Sequence, residues 1–189
     1  MVLEVINYAL LVDALEYYQD QGYKLIDVPW TVPKDALKIT TPSNFDFTNN
    51  MYLNKYLVGS AEQSFLYLIR TGQLKEGKYC AITPCFRNDD EDEIHQKYFM
   101  KVELIHYTRK WWKWSSSMET MIYDARQFFE QFVSTTVVET VDNRDDESYD
   151  IETNGIELGS YGIRHHENID WIYGTGLAEP RLSIAMKQV

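Results

Sequence analysis

Two arginines far apart in the chain each stand among residues suited to holding a nucleotide. Arg87 follows Cys85 and Phe86 and precedes Asn88 and Asp89, and after a loop His95-Gln96-Lys97-Tyr98-Phe99 enters the next segment. Arg181 comes seven residues after Gly174, the first glycine of Gly174-Thr175-Gly176. Between them, Glu157-Leu158-Gly159-Ser160 sets a carboxylate and a hydroxyl three residues apart. Guanidinium groups make bidentate, charge-assisted bonds to phosphate and also stack on bases. Two of them with a stacking aromatic suit a nucleoside triphosphate. Gly174 and Gly176 are expected to let backbone approach a ligand with no Cβ in the way.

Such residues need a scaffold, and the apolar spacing outlines one. Over residues 5–21, Val5, Ala9, Val12 and Glu16 fall on one line with Ile6, Leu10, Ala14 and Tyr17 beside it, the period of a helix. Gly22 is a natural stop for that helix, and residues 23–28 read as a strand ended by Pro29. A polar, turn-rich loop is expected over 38–50, then a short strand over 52–60 and a helix over 61–72 carrying Phe65, Leu66, Leu68 and Ile69. Strands are predicted over 78–83 and 98–107, with an acidic loop over 88–93 between them. Ser115, Ser116 and Ser117 offer N-caps, Ser116 with Glu119 has capping-box spacing, and a helix should follow to about residue 133. Strands over 135–141, 149–153 and 156–161 are separated by short polar breaks, which implies antiparallel pairing, and 181–186 reads as a closing helix. The order is that of an α+β fold, an antiparallel sheet flanked by helices.

Composition narrows the function classes. The 189 residues, 44% apolar and 14% aromatic, suffice for one domain with a sizeable core. Eighteen basic against twenty-nine acidic residues give a net charge of −11, which speaks against a general binder of phosphate backbones. No apolar run approaches the roughly 20 residues of a membrane span. The opening stretch carries Glu4, Asp13 and Glu16 and no basic leader region. Cys80 and Cys85 make neither a disulfide framework nor a metal-ligand spacing, and they read as small buried apolar residues. Lys110, Trp111, Trp112, Lys113 and Trp114 read as a packed corner rather than a base-stacking surface. A soluble, reduced, cytoplasmic chain with no membrane partner is expected.

The order of these segments resembles the three motifs of the class II aminoacyl-tRNA synthetase catalytic domain. Its first motif, a helix and then a strand ending in proline, is similar to residues 5–29 with Pro29 as the proline. Its second, Phe-Arg-x-Glu, a loop and His/Arg-x-x-x-Phe, resembles Phe86-Arg87-Asn88-Asp89 and the run from His95 to Phe99. Its third, a glycine-rich strand leading to an arginine at a helix start, resembles Gly174, Gly176 and Arg181. The seryl, threonyl, prolyl and glycyl subgroup looks nearest. Gly59-Ser60-Ala61-Glu62 resembles the seryl enzyme's Thr-Ala-Glu loop, Phe99-Met100-Lys101-Val102-Glu103 its Phe-x-Lys-Val-Glu segment, and Glu157 to Ser160 its Glu-x-x-Ser element.

The resemblance implies an aminoacyl-adenylate-forming ligase that uses ATP and Mg²⁺. Arg87 would hold the α-phosphate and the amino acid carboxylate, with Asp89 and His95 also on the nucleotide side. Phe99 and Arg181 would sandwich adenine, Arg181 also reaching the γ-phosphate. Glu157 would hold Mg²⁺ with Ser160 alongside, since hard oxygens suit that ion. Glu62 would take the α-ammonium of a small amino acid, with Ser60, Lys101 and Glu103 lining its site. The family also implies a homodimer paired through the first motif.

Two departures bear on the acceptor. The resemblance spans residues 5–188, so one catalytic domain over 1–189 is expected, with no room for an anticodon-binding domain. Residues 89–93 are five consecutive acids where the family's loop faces the tRNA acceptor stem. Negative charge there repels phosphate. The expected activity is therefore adenylation of a small amino acid and transfer to an acceptor other than a tRNA read through its anticodon: a carrier protein, a metabolite or a modified nucleic acid. The alternatives are a minimal seryl- or glycyl-like synthetase charging tRNA through the acceptor end, and a non-catalytic regulatory relative.

Overall fold

The computed structural model describes residues 5–41, 51–87, 92, 94–109, 112, 114–142 and 144–188. Helix α1 (Tyr8–Asp20) starts where the Asn7 side chain accepts from the backbone N–H of Ala9 and Leu10, and it ends just before Gly22 at φ +86°. The chain then runs through β1 (Lys24–Leu25), β2 (Thr31–Val32), α2 (Lys34–Leu37), β3 (Met51–Tyr52), β4 (Lys55–Leu57) and α3 (Ala61–Arg70). Two long strands follow, β5 (Gly77–Phe86) and β6 (Tyr98–Tyr107), then α4 (Trp114–Phe129). Strands β7 (Thr136–Thr140), β8 (Glu147–Thr153), β9 (Ile156–His166) and β10 (Ile169–Glu179) lead to α5 (Arg181–Met186).

Seven strands form one sheet in the order β1-β5-β6-β10-β9-β8-β7, antiparallel except for the β1–β5 edge pair. A separate three-stranded sheet has the order β2-β4-β3. One face of the large sheet packs on α1 and α4 through Leu11, Tyr18, Met121, Phe128, Phe129, Tyr161 and Ile172. On the opposite face α3 covers only one end, burying Phe65 and Leu66 against Ala81, Ile105 and Trp171. The rest of that face stays open, because alternate residues along β6, β8, β9 and β10 present polar groups to it. The cleft described below lies there.

The elements differ from the sequence expectation in definite ways. The strand expected over 23–28 contracts to Lys24–Leu25, which stand in register with Tyr79 and Cys80 of β5, and Ile26 N–H adds a last bond to the Cys80 carbonyl at 3.1 Å. Val28 then turns into the cluster beneath α3. Helix α4 begins at Trp114, whose indole donates to the Thr108 carbonyl at 3.4 Å, so Ser116 and Glu119 lie inside the first turns rather than forming a capping box. The single strand expected over 52–60 is a hairpin, with Leu53 and Asn54 at positive φ in its turn. Strand β9 runs five residues beyond its expected end at Tyr161, to His166, because β10 supplies partners along that length. No helix among the described residues is long and apolar enough to cross a membrane.

Candidate active site

A cleft of about 470 Å³ opens on the uncovered sheet face, walled by α3, the β7–β8 connection and the region after α2. A smaller cavity adjoins it, lined by Phe99, His95, Ala178, Pro180, Arg181 and Arg87. Arg87 lines both, so it stands at their junction. It lies one residue beyond the end of β5, where its backbone N–H still donates to the Lys97 carbonyl at 2.9 Å. Its Nε donates to the Gly59 carbonyl at 3.3 Å, and its guanidinium sits 5.3 Å from the Phe99 ring centre. One nitrogen is thus anchored while the rest of the fork faces the cavities.

Arg181 opens α5 on the other side of the small cavity. Its Nη1 donates to the Glu157 carboxylate at 2.9 Å and to the Glu157 carbonyl at 3.0 Å. His95 lines the same cavity, but its Nδ1 lies 2.7 Å from Asp92 Oδ2, so its ring is oriented by a neighbour in its own loop. Asp89, expected on the nucleotide side, lies outside the described residues, as do Lys110, Trp111 and Lys113 of the basic-aromatic patch. Trp112 is exposed.

Glu157 and Ser160 both line the large cleft, and register places Asp150 directly opposite Ser160. Asp150 was not legible as a site residue, because cross-strand pairing alone brings it there. Burial and the neighbouring Glu157 charge push its carboxyl up to about 6, although the Ser160 hydroxyl bond works the other way. Two carboxylates and a hydroxyl on one surface fit a hard divalent cation, which relieves the repulsion that raises Asp150. Among the described residues no three His, Cys, Asp or Glu side chains gather into a metal cage. Glu157, Asp150 and Ser160 are the residues that would hold such an ion.

The other end of the cleft is a closed polar network. Ser60 caps α3, accepting from Glu62 N at 3.1 Å, and its hydroxyl donates to Glu103 Oε2 at 2.7 Å. Glu62 N also donates to that oxygen at 3.0 Å, and Lys101 Nζ lies 3.0 Å from Glu103 Oε1. Burial would raise the Glu103 carboxyl, but Lys101, the Ser60 hydroxyl and the Glu62 N–H outweigh it and hold it below the ordinary range. Glu62 itself is claimed by protein groups. Arg164 Nη1 donates to its two oxygens at 3.0 and 2.8 Å, and Trp171 Nε1 donates to Oε1 at 2.7 Å. Glu62, expected to take an α-ammonium, thus lines the cleft already paired with Arg164 and Trp171.

Arg164 also bonds Asp145 through Nε, and its guanidinium lies 4.1 Å from the Tyr173 ring centre. Tyr173 donates to Asp145 Oδ2 at 2.7 Å and lies flat on Gly162, where a Cβ would meet its ring at 2.7 Å. None of Arg164, Asp145 or Tyr173 carried a local sequence signal.

Core packing by itself calls for both motif glycines. A Cβ on Gly174 would meet Met121 Sδ and Tyr161 Cδ1 at 2.6 Å, and one on Gly176 would meet Tyr18 Cε2 at 2.6 Å. Both missing side chains would point into the α1/α4 core. Gly174 reaches the cleft lining through its other face, and Gly176 does not line either cavity.

No protein-family model and no curated protein sequence matches the chain. Solved structures do. A pyrrolysyl-tRNA synthetase from Desulfitobacterium hafniense superposes with a TM-score of 0.76 at 17% identity, over 96% of this chain and 69% of that one. The cytoplasmic serine-tRNA ligase of Naegleria fowleri, determined in complex with AMP, gives 0.77 at 19% identity, over 94% of this chain and 52% of that one. A second structure of the Desulfitobacterium hafniense enzyme gives 0.75 at 15% identity, covering 96% and 70%. With its seven-stranded sheet, its capping helices and its cleft on the uncovered face, the chain has the fold of the class II aminoacyl-tRNA synthetase catalytic domain.

Proposed function

We propose that the chain activates a small amino acid with ATP. A carboxylate oxygen of the amino acid attacks the α-phosphorus and forms a C–O–P linkage. The bond from the α-phosphorus to its bridging oxygen breaks, and pyrophosphate leaves with the electron pair. The observation carrying this reading is Arg87 at the junction of the two cavities, with Phe99 and Arg181 lining one and Glu157 and Ser160 the other. The seryl ligase with the same fold was solved with AMP, which supports the use of an adenine nucleotide.

Arg87 would neutralise the α-phosphate and the attacking carboxylate together. Arg181 would exchange Glu157 for the nucleotide, lying over adenine with Phe99 beneath. Glu157, Asp150 and Ser160 would hold Mg²⁺, which would supply charge compensation for pyrophosphate. Positioning and preorganised charge are the main resources available for such a transfer. The paired network around Tyr173 and Arg164 narrows the amino-acid end, which supports a small substrate.

For the acceptor, the net charge of −11 and the acidic run 89–93 support a carrier protein, a metabolite or a modified nucleic acid over bulk tRNA. ATP–pyrophosphate exchange with each amino acid tests the first step. One or a few should be active, and Arg87→Ala should lower the rate by roughly 10²–10³ with the fold retained. Absence of ATP binding at millimolar concentration removes the reading. A salt-sensitive tRNA complex at micromolar or lower concentration in a gel shift would move the acceptor to tRNA.

A further inference from the structure

The amino-acid end of the cleft holds an unusual concentration of charge, and nearly all of it is already spent. Glu62 and Asp145 share Arg164, whose side chain is 9% exposed against 8% and 1% for its partners. Lys101 and Glu103 pair with each other at 3.0 Å. Asp142 is bound by Arg144, whose Nη1 also donates to the Thr40 carbonyl at 2.8 Å and ties the β7–β8 connection to the far wall. Burial works against charge on Arg164, yet Glu62, Tyr173 and Asp145 together raise its pKa.

Four carboxylates here face three cations, which leaves one negative charge, while Arg87 at the junction stands positive. An amino-acid zwitterion supplies the complement of both, its ammonium for the first and its carboxylate for the second. A charged side chain would find no counter-ion except by breaking a pair, half-exposed at Arg144 but buried at Lys101 and Arg164, where the cost is high. Resting on the adenylation reading above, we infer that this end of the cleft selects an uncharged side chain. Arg164 is the positioning residue that enforces the choice by holding Glu62 and Asp145 as one closed triad. Without its charge, two buried carboxylates face the substrate and the preference tilts toward a cation.

Isosteric pairs separate charge from size: asparagine with aspartate, and homoserine with 2,4-diaminobutyrate. Pyrophosphate exchange at pH 7 should favour the uncharged member of each pair by about 100-fold or more in kcat/KM. Calorimetry with the corresponding aminoacyl-sulfamoyl adenosines should show the same order without turnover. In Arg164→Gln, diaminobutyrate should gain at least about tenfold on homoserine. If that variant does not fold, Arg144→Gln, which leaves Asp142 with only Arg164 Nη2 at 3.5 Å, should tilt the same pair in the same direction by a smaller factor. Equal use of charged and uncharged members overturns the inference, as does a uniform loss across all four substrates in both variants. Selective binding of the sulfamoyl compounds with no exchange overturns activation but sustains the charge rule. Exchange with indiscriminate binding does the reverse.

Discussion

Arg181, on the small cavity, and Glu157, on the cleft, hold each other, Nη1 to Oε1 at 2.9 Å. On the adenylation proposed above, ATP would need the first and its cation the second, so nucleotide and metal would enter together to replace one contact with two. Glu157→Ala should therefore release Arg181 and leave metal-free ATP binding as tight as before or tighter. The strengthening of ATP binding by Mg²⁺ should disappear in the same variant. Calorimetry with and without the cation measures both, and an unchanged Mg²⁺ effect would exclude Glu157 as a ligand.

Asp150 gives the fold a defined pH dependence. Its carboxyl titrates near 6 in the native state, above the roughly 3.9 of an unfolded aspartate. The folded form thus favours the proton, and this contribution to stability is complete below about pH 4 and lost as pH rises through 6. Asp150→Asn should remove that decline and raise Tm at pH 7–8. Partial exposure keeps the effect below what the full shift implies. A rise of roughly 2–4 °C is the scale for 1 kcal/mol in a chain of this size. Thermal melts of both proteins from pH 4 to 8 test the sign.

Gly176→Ala should behave as a stability variant and not as a binding variant. The added methyl meets Tyr18 Cε2 at 2.6 Å and Val102 Cγ1 at 3.1 Å in a packed core. Overpacking of this kind costs about 1–3 kcal/mol. Urea unfolding should show the loss while the ATP affinity of the folded fraction stays within about twofold. A large loss of affinity with no loss of stability would return Gly176 to the nucleotide site.

Association is expected through the outer side of α1 and the free edge of β1. Val5, Tyr8 and Val12 are exposed there, as is Leu25 on β1. We propose an isologous homodimer. Light scattering should give twice the chain mass of 22.3 kDa, and Val12→Glu should return the mass of one chain.

What the sequence revealed depended on how local the cause was. Strand β6 and helix α5 match their expected limits of 98–107 and 181–186 because apolar spacing and a flanking turn define each within a few residues. Arg87, Phe99 and Arg181 were legible because motif order carries them, and the structure brings all three to one cavity. Asp150, Asp145, Arg164 and Tyr173 were not. Asp150 reaches Ser160 through strand register, and Asp145 meets Arg164 only because the β7–β8 connection folds over β9. Glu62 was read as a ligand because its position fits a motif. Its commitment to Arg164, 102 residues away, is visible only in three dimensions.

The tyrosine rings behind β10 change what its glycine pattern diagnoses. Tyr161 and Tyr18 sit where side chains of Gly174 and Gly176 would be, and each donates its hydroxyl to a β10 carbonyl, that of Thr175 at 2.6 Å and of Gly176 at 2.9 Å. A descendant that lost Arg87 and Arg181 would still need both glycines in order to fold. In an inventory of related chains the glycines therefore count as evidence of ancestry, and, on the adenylation proposed above, the two arginines would count as evidence of activity.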